Sequence, residues 1–267
     1  MIVTKKFVFI HLHKSGGTFL NNIFTNFFHS TKTIGYHYPI TMIPSEYKHL
    51  PILGSIRNPW DFYVSYYAFQ KSLIENFESK YGNLSKIEYQ SLTERGIDPR
   101  NGIDIIFDVA SHKGSLDFAK TLPNLLALGT SKEILNKVLD LMPVELGRRG
   151  KNTTIHQQGF RGMNVTHKEL AKIRETGEGL YAFLFRRMYG DANNIYFLKM
   201  NNLRNDLLDF FKHIGVVVTQ NMREFILTAQ ATNVSHHEHY SKYYTDDLKN
   251  SVQEKDACVI EKFGFEF

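Results

Sequence analysis

Residues 7–20, with the sequence FVFIHLHKSGGTFL, join an apolar run to a Lys-Ser-Gly-Gly-Thr turn and to the start of a helical pattern. The apolar run through Leu12 is typical of a buried strand, and the apolar residues after the turn recur at helical spacing. A strand, a glycine turn and a helix N-terminus in succession direct backbone N–H groups and the positive helix end at one point. Lys14 adds a full positive charge. The segment therefore predicts a site for an anion, such as the phosphate end of a nucleotide.

The composition is typical of a globular protein and suits an anionic ligand. The chain has 267 residues, of which 42% are hydrophobic and 22% charged, with a net charge of +5. This charge is too low to indicate nucleic acid without a concentrated basic patch. The N-terminal apolar run stops at His11, and no stretch approaches the ~20 apolar residues of a membrane span. We therefore expect a cytoplasmic protein without a membrane span, whose single Cys258 is buried on a helix face.

Apolar runs alternate with helical patterns along the chain, which is typical of an α/β fold with a parallel sheet. The expected strands are 6–12, 33–38, 50–56 and 194–199. A helix is expected from about Thr245 to Lys262, and polar, irregular composition at about 74–115 and 142–165 predicts insertions. The sequence therefore predicts a single domain over residues 1–267 that carries these two insertions.

A second motif follows the expected strand that ends near Ile56. Arg57 comes at the carboxyl end of that strand, where α/β sheets bind their ligands. Asn58 and Pro59 are a favourable cap and first residue for a helix, and Ser65 lies about two turns further on. A guanidinium with a hydroxyl can bind a phosphate through charge-assisted hydrogen bonds. Each motif also has a structural alternative. The Arg57 motif could be a surface ion pair beside a capped helix, and the Lys-Ser-Gly-Gly-Thr motif could be a plain strand-to-helix turn.

Together the two motifs resemble those of the sulfotransferase superfamily, in particular the group that contains hexuronyl 2-O-sulfotransferases and related bacterial enzymes. Members carry a 5′-phosphosulfate loop of the form His-Lys-Thr/Ser-Gly-Gly-Thr, which residues 13–18 match. They also carry a 3′-phosphate motif, which Arg57, Pro59 and Ser65 match. Both motifs occur in the family's order and at a fitting separation.

The resemblance implies a fold, a donor and a reaction. The implied fold is a P-loop-NTPase-like three-layer arrangement, with a central parallel sheet flanked by helices and with helical insertions. The implied donor is 3′-phosphoadenosine 5′-phosphosulfate (PAPS), whose sulfuryl group passes by in-line displacement to an acceptor hydroxyl of a carbohydrate or small metabolite, an acidic saccharide included. The implied donor-binding residues are Lys14, Ser15, Gly16, Gly17, Thr18, Phe19, Arg57 and Ser65.

The resemblance also implies two catalytic residues. The family places an acceptor-activating histidine in a segment such as Tyr-His-Tyr-Pro at residues 36–39, which makes His37 the predicted general base. A neutral imidazole is a good base near pH 7. Lys14 is the predicted cation that stabilises charge on the leaving phosphate oxygen.

Other residues compete with His37 for the role of base. His37 is flanked by two tyrosines and a structural role is open to it. His11 and His13 share a strand face, and a buried strand makes His11 more suitable as a core histidine. Glu46 and Glu145 are weaker alternatives.

Two further polar regions have open roles. The turn His236–His239 lacks an established metal-ligand spacing, so we expect a loop that closes over the nucleotide or a solvated turn, and no metal. Several basic residues in the irregular segments suit either a groove for an acidic acceptor or a solvated surface. They are Arg95, Arg100, Arg148, Arg149, Lys151 and Arg161.

Two functions of other classes compete with sulfate transfer. A P-loop-like nucleotide kinase or hydrolase would need a magnesium-binding acidic residue after a strand, and none follows Ile56 or Lys199 directly. A non-catalytic module would bind a nucleotide or a polyanion with the same residues.

Overall fold

The computed structural model describes residues 1–95, 100, 102–111, 116–145, 163–230 and 235–267. The chain divides into two compact units. The first unit comprises Met1–Asn58 and Leu184–Val234, and the second comprises Pro59–Phe183 and Ser235–Phe267. Each unit is described by itself below. The single domain over residues 1–267 stays a prediction.

The sheet lies in the first unit and confirms the α/β class. Its strands are β1 (Ile2–Val3), β2 (Val8–Ile10), β3 (Lys32–Thr33), β4 (Ile52–Ile56) and β5 (Ile195–Lys199). The spatial order is β3-β1-β2-β4-β5, and β2, β4 and β5 run parallel. The sheet is nevertheless mixed, because the short β1 pairs antiparallel with both β2 and β3. The fully parallel sheet expected from the sequence is therefore corrected to a parallel core with an antiparallel edge.

The strand expected at 33–38 is shorter than the sequence indicates. It ends at Thr33, and His37 has a φ of 53°, in the left-handed region that no strand residue adopts. The segment instead forms a turn that carries His37.

Helices make up most of the rest of the described chain. They are α1 (Gly17–Phe27), α2 (Pro59–Tyr81), α3 (Lys86–Glu94), α4 (Ile105–Ala110), α5 (Phe118–Leu126), α6 (Lys132–Leu139), α7 (His167–Ala171), α8 (Leu180–Tyr189), α9 (Leu203–His213), α10 (Gln220–Thr228), α11 (Asp246–Lys255) and α12 (Ala257–Phe263). The expected start of a helix at Pro59 is confirmed.

An aromatic and aliphatic core holds α1, α9 and α10 against the sheet of the first unit. Phe7, just before β2, packs edge-to-face on Phe24 of α1 and on Phe210 of α9, with ring centroids 5.0 and 5.3 Å apart. Leu53 of β4 and Ile226 of α10 are buried in the same cluster. Burial of such side chains contributes roughly 1.5–3 kcal/mol each to the free energy of unfolding. The β2-turn-α1 segment is therefore anchored on both of its sides.

The hydroxyl of Tyr189 ties the carboxyl ends of β2 and β4 together. Gly54 is the last β4 residue paired with β2, so the Ser55 N–H has no partner on that strand. That N–H donates to the Tyr189 hydroxyl at 3.0 Å, and the hydroxyl donates to the Ser55 carbonyl at 2.8 Å, with the Ile10 carbonyl at 3.3 Å. Gly54 leaves room for this ring, since a Cβ there would lie 2.9 Å from Tyr189 Cε1. A side chain at the end of α8 thus completes the backbone hydrogen bonding of two strands.

In the second unit, a buried carboxyl group explains why the helix expected from Thr245 to Lys262 is broken. Asp256 lies between α11 and α12 and is fully buried, and its Oδ1 accepts a hydrogen bond of 2.7 Å from the Ala182 N–H. Burial raises the pKa of Asp256 to about 7, against the opposing effect of hydrogen bonds from Ala182 and the Tyr63 hydroxyl. The break lets one side chain connect the end of α11 to the start of α8.

The burial expected for Cys258 is wrong. On α12 the apolar residues Val259 and Ile260 face the interior, and Cys258 is exposed. A seven-residue helix presents only part of its circumference to the core, and Cys258 lies outside that part.

We expect Tyr189→Phe to lower the free energy of unfolding by about 1–3 kcal/mol, because the buried Ser55 N–H loses its partner. Urea unfolding followed by circular dichroism measures the change. Tyr47→Phe is the matched control, since the Tyr47 hydroxyl accepts only a solvent-exposed hydrogen bond from Lys32 at 3.2 Å. Its loss should change stability by less than ~0.5 kcal/mol. Equal effects of the two substitutions would contradict a special role for Tyr189.

Candidate anion and histidine site

The turn between β2 and α1 leaves the helix N-terminus open to a ligand. Lys14 and Gly16 both have left-handed backbone conformations, with φ of 54° and 79°. Gly16 is the N-cap of α1, and no side chain caps the helix through it. The first N–H groups of a helix lack partners within the helix. With the positive end of the helix dipole, they favour an anion at this turn.

Both positions of the turn require glycine, because neighbouring side chains leave no room for a Cβ. A Cβ added at Gly17 would fall on the imidazole ring of His11. A Cβ at Gly16 would lie 2.7 Å from Leu203 Cδ2, and its left-handed backbone would be strained as well. The turn is therefore packed directly against His11, just after β2, on one side and against Leu203 of α9 on the other.

The Ser15 side chain stabilises the turn from inside. Its hydroxyl is fully buried, donates to the Leu12 carbonyl at 2.7 Å and lies 2.8 Å from the Ser55 hydroxyl. Since the single Ser15 proton goes to Leu12, the Ser55 hydroxyl is the donor between the two serines. Ser15 can therefore contribute to a ligand site only through its backbone N–H.

Two cations lie together at this turn. Nη1 of Arg57, which follows β4, donates to the Lys14 carbonyl at 3.0 Å. Burial, with added repulsion from the Arg57 charge, lowers the pKa of the Lys14 ammonium to about 8. An anion bound here would relieve that repulsion and favour the charged lysine. The turn and its two cations therefore fit the phosphate end of a nucleotide such as PAPS.

Thr18 and Phe19 occupy the first turn of α1. Thr18 is half-buried, whereas the Phe19 side chain is buried in the core, with the Arg204 guanidinium 4.6 Å from its ring centroid. Phe19, like Ser15, can reach a ligand only through its backbone.

Three histidine rings form a cluster beside the turn. His37 stacks on His13 with ring centroids 3.6 Å apart and an interplanar angle of 18°, and its ring lies 4.5 Å from that of His11. Nδ1 of His37 lies 2.8 Å from the His11 carbonyl. Since a carbonyl only accepts, Nδ1 carries the proton and Nε2 holds a lone pair. The structure thus selects the tautomer that can accept a proton at Nε2.

His37 and His11 are neutral near pH 7. Burial lowers the pKa of His37 well below its usual range, and the charges of His13 and His11 add to the effect. Burial likewise lowers the pKa of His11, with smaller contributions from the N-terminal amine and His13. Neighbouring imidazoles in a buried cluster cannot all carry a charge. A neutral His37 agrees with the form required of a general base.

Other predicted residues lie outside the histidine cluster. Ser65 belongs to the second unit, where it is buried on α2 and its carbonyl accepts a hydrogen bond of 3.2 Å from the Ser235 hydroxyl. Glu46 and Glu145 are exposed. His236 and His239 are also exposed, and among the described residues no three His, Cys, Asp or Glu side chains are arranged so that they could hold a metal ion.

The proposed basic groove is only partly within the described residues. Arg100 forms an ion pair with Asp108 at 2.6 Å, which gives it a structural partner, and Arg95 is exposed. Four members, Arg148, Arg149, Lys151 and Arg161, lie outside the described residues.

Sequence reasoning missed the residues that support the site from a distance. Tyr189, Ser55 and Arg187, whose Nη1 donates to the His37 carbonyl at 2.9 Å, belong to no motif. They are separated from their partners by up to 179 positions, so no local pattern identifies them.

Comparisons with protein-family models, with curated protein sequences and with solved structures found no match for this chain. The resemblance to sulfotransferases therefore stays a prediction from its two motifs. Within the part of the chain that the structure describes, no helix is long and apolar enough to cross a membrane.

We expect Gly17→Ala to destabilise the protein by about 1–3 kcal/mol, because the new methyl group overlaps the His11 ring. Urea unfolding measures the loss. Gly190→Ala is the control, because Gly190 has a φ of 56° but nothing within 4 Å of the place a Cβ would take, so only backbone strain is added.

A double-mutant cycle tests the cause. In a His11→Ala background the ring is absent, so the Gly17→Ala substitution should cost less than in the wild type. An unchanged cost in that background would refute the steric contact as the reason for glycine.

Proposed function

We propose that this protein is a sulfotransferase that uses PAPS to sulfate an acceptor hydroxyl. The proposal rests above all on one observation: Arg57 donates to the Lys14 carbonyl in the turn between the parallel strand β2 and α1, its charge acts on the Lys14 ammonium, and no side chain caps α1 at Gly16. The resemblance of residues 13–18 and of Arg57 and Ser65 to the family's motifs supports the same ligand. The P-loop-like three-layer fold and a cytoplasmic location are part of this proposal.

The chain's own residues would hold the donor's 5′-phosphate. Lys14 supplies charge, and the backbone N–H groups of residues 16–19 supply hydrogen bonds at the positive end of α1. Arg57 adds a second charge and holds the Lys14 carbonyl in place. Ser65 is retained for the 3′-phosphate on the resemblance alone, and its place is in the second unit.

Bound PAPS would supply an activated sulfuryl group with adenosine 3′,5′-bisphosphate as the leaving group. Nε2 of His37 takes the proton of the acceptor hydroxyl, while Nδ1 stays fixed on the His11 carbonyl. Lys14 and the N–H groups of the turn stabilise the negative charge that collects on the departing phosphate oxygen. Positioning and electrostatics therefore account for most of the proposed rate enhancement. The proposed acceptor is a carbohydrate or a small metabolite.

Adenosine 3′,5′-bisphosphate should bind more weakly at pH 9 than at pH 7. Lys14 is charged below its pKa of about 8 and neutral above it, so the affinity should fall roughly tenfold across this interval. Isothermal titration calorimetry at both pH values measures the change.

Lys14→Arg is the matched control for this titration. A guanidinium stays charged at pH 9, so the variant should lose the pH dependence that comes from residue 14. A wild type whose affinity is the same at pH 7 and pH 9 would contradict a role for the Lys14 charge, and absence of binding at pH 7 would end the donor assignment.

Transfer of radiolabelled sulfate from PAPS to a panel of saccharide and small-molecule acceptors tests the reaction itself. We expect turnover without added metal, and a loss of roughly 10²–10⁴ in kcat for His37→Ala with binding of the donor retained. Binding without transfer to any acceptor, unaffected by His37→Ala, would support a non-catalytic module. Magnesium-dependent turnover of a nucleoside triphosphate would support a kinase or hydrolase instead.

A further inference from the structure

His37 adopts a backbone conformation that its surroundings must maintain. Its φ of 53° lies in the left-handed region, which is unfavourable for a residue with a Cβ. Such conformations persist only where neighbouring groups determine them, and they cluster at functional sites. Two hydrogen bonds of the first unit act on His37, one on its ring and one on its carbonyl.

The two hydrogen bonds hold opposite ends of the residue. The ring Nδ1 donates to the His11 carbonyl at 2.8 Å, just beyond the end of β2. The His37 carbonyl accepts from Nη1 of Arg187 at 2.9 Å. With both ends held, the ring stays on the His13 imidazole and Nε2 remains the unprotonated nitrogen.

Arg187 is well suited to act as a fixed donor. It is half-buried on α8, directly before the buried Met188 and two positions before Tyr189. Because the Tyr189 hydroxyl is bonded to the ends of β2 and β4, this end of α8 has a defined position relative to the sheet. Through its hydrogen bond to the His37 carbonyl, Arg187 therefore holds the turn that carries His37 in a defined position relative to the sheet.

We propose that Arg187 is a positioning residue for His37, whose hydrogen bond to the His37 carbonyl keeps the imidazole stacked on His13 with Nε2 unprotonated. The significance for catalysis rests on the proposed function, in which Nε2 of His37 is the base. The positioning itself is measurable whether or not the protein transfers sulfate.

The test is the imidazole spectrum of His37 in Arg187→Met, a variant of similar length without a donor. Long-range ¹H–¹⁵N correlation spectra of ¹⁵N-histidine-labelled protein distinguish the two tautomers, and His37→Gln assigns the signals. In the wild type we expect the tautomer protonated at Nδ1. In Arg187→Met we expect a mixture of both tautomers.

Arg223→Gln is the control, because it removes an exposed arginine from α10 of the same unit. It should leave the His37 spectrum unchanged. A wild-type His37 spectrum in Arg187→Met would overturn the proposal. If that variant does not fold, Arg187→Leu, which also lacks a donor, is measured in the same way, and a wild-type spectrum there overturns the proposal equally.

Kinetics separate this inference from the proposed function. If the wild type transfers sulfate, Arg187→Met should lower kcat by about tenfold to a hundredfold, with KM for PAPS within about twofold, because a misplaced base affects the chemical step. Absence of transfer by the wild type would refute the sulfotransferase and leave the spectral result standing. Transfer with an unaltered His37 spectrum and unaltered kcat in Arg187→Met would refute only the positioning role.

Discussion

The hydroxyl of Tyr189 is the interaction on which the geometry of the first unit depends. It completes the hydrogen bonding of Ser55 where β4 extends past β2, and it also reaches the Ile10 carbonyl. The Ser55 side chain in turn donates to Ser15, inside the turn that precedes α1. The sheet, the end of α8 and the candidate anion site are therefore linked through one buried polar network. A buried network of this kind specifies a structure only when its members are satisfied, as these are.

The Lys14 ammonium, beside this network, is a positive charge in a position that burial makes unfavourable. Lys14 is largely removed from water and close to Arg57, so its ammonium loses protons more easily than an exposed lysine does. This group therefore contributes unfavourably to the stability of the folded state, in full below about pH 8 and decreasingly up to pH 10.5, because the unfolded chain binds its proton more tightly. A bound anion would stabilise the charged form of Lys14 and so offset this unfavourable contribution. The strained backbone of His37, at the same end of the sheet, likewise lowers the stability of the folded state.

Much of the local structure could be predicted from the sequence. The strand-turn-helix at residues 7–20, the helix start at Pro59 and the α/β class depend on short-range patterns, and all three are found. The antiparallel edge was missed because β1 has two residues, too few to show a period. The exposure of Cys258 was missed because a short helix has no unique buried face by pattern alone. The donor-binding and catalytic residues stay predictions, although their chemistry at the turn agrees with an anion site.

The sequence by itself determined the chemical character of the turn: a lysine and two glycines between a strand and a helix, with an arginine after the strand that ends at Ile56. These are properties of neighbouring residues, and the backbone responds to them locally. Only the tertiary structure decided which nitrogen of His37 carries a proton, how far the pKa of Lys14 falls, and which side chains hold the turn. Those properties depend on burial and on partners up to 150 positions away, and such partners meet only when the chain folds.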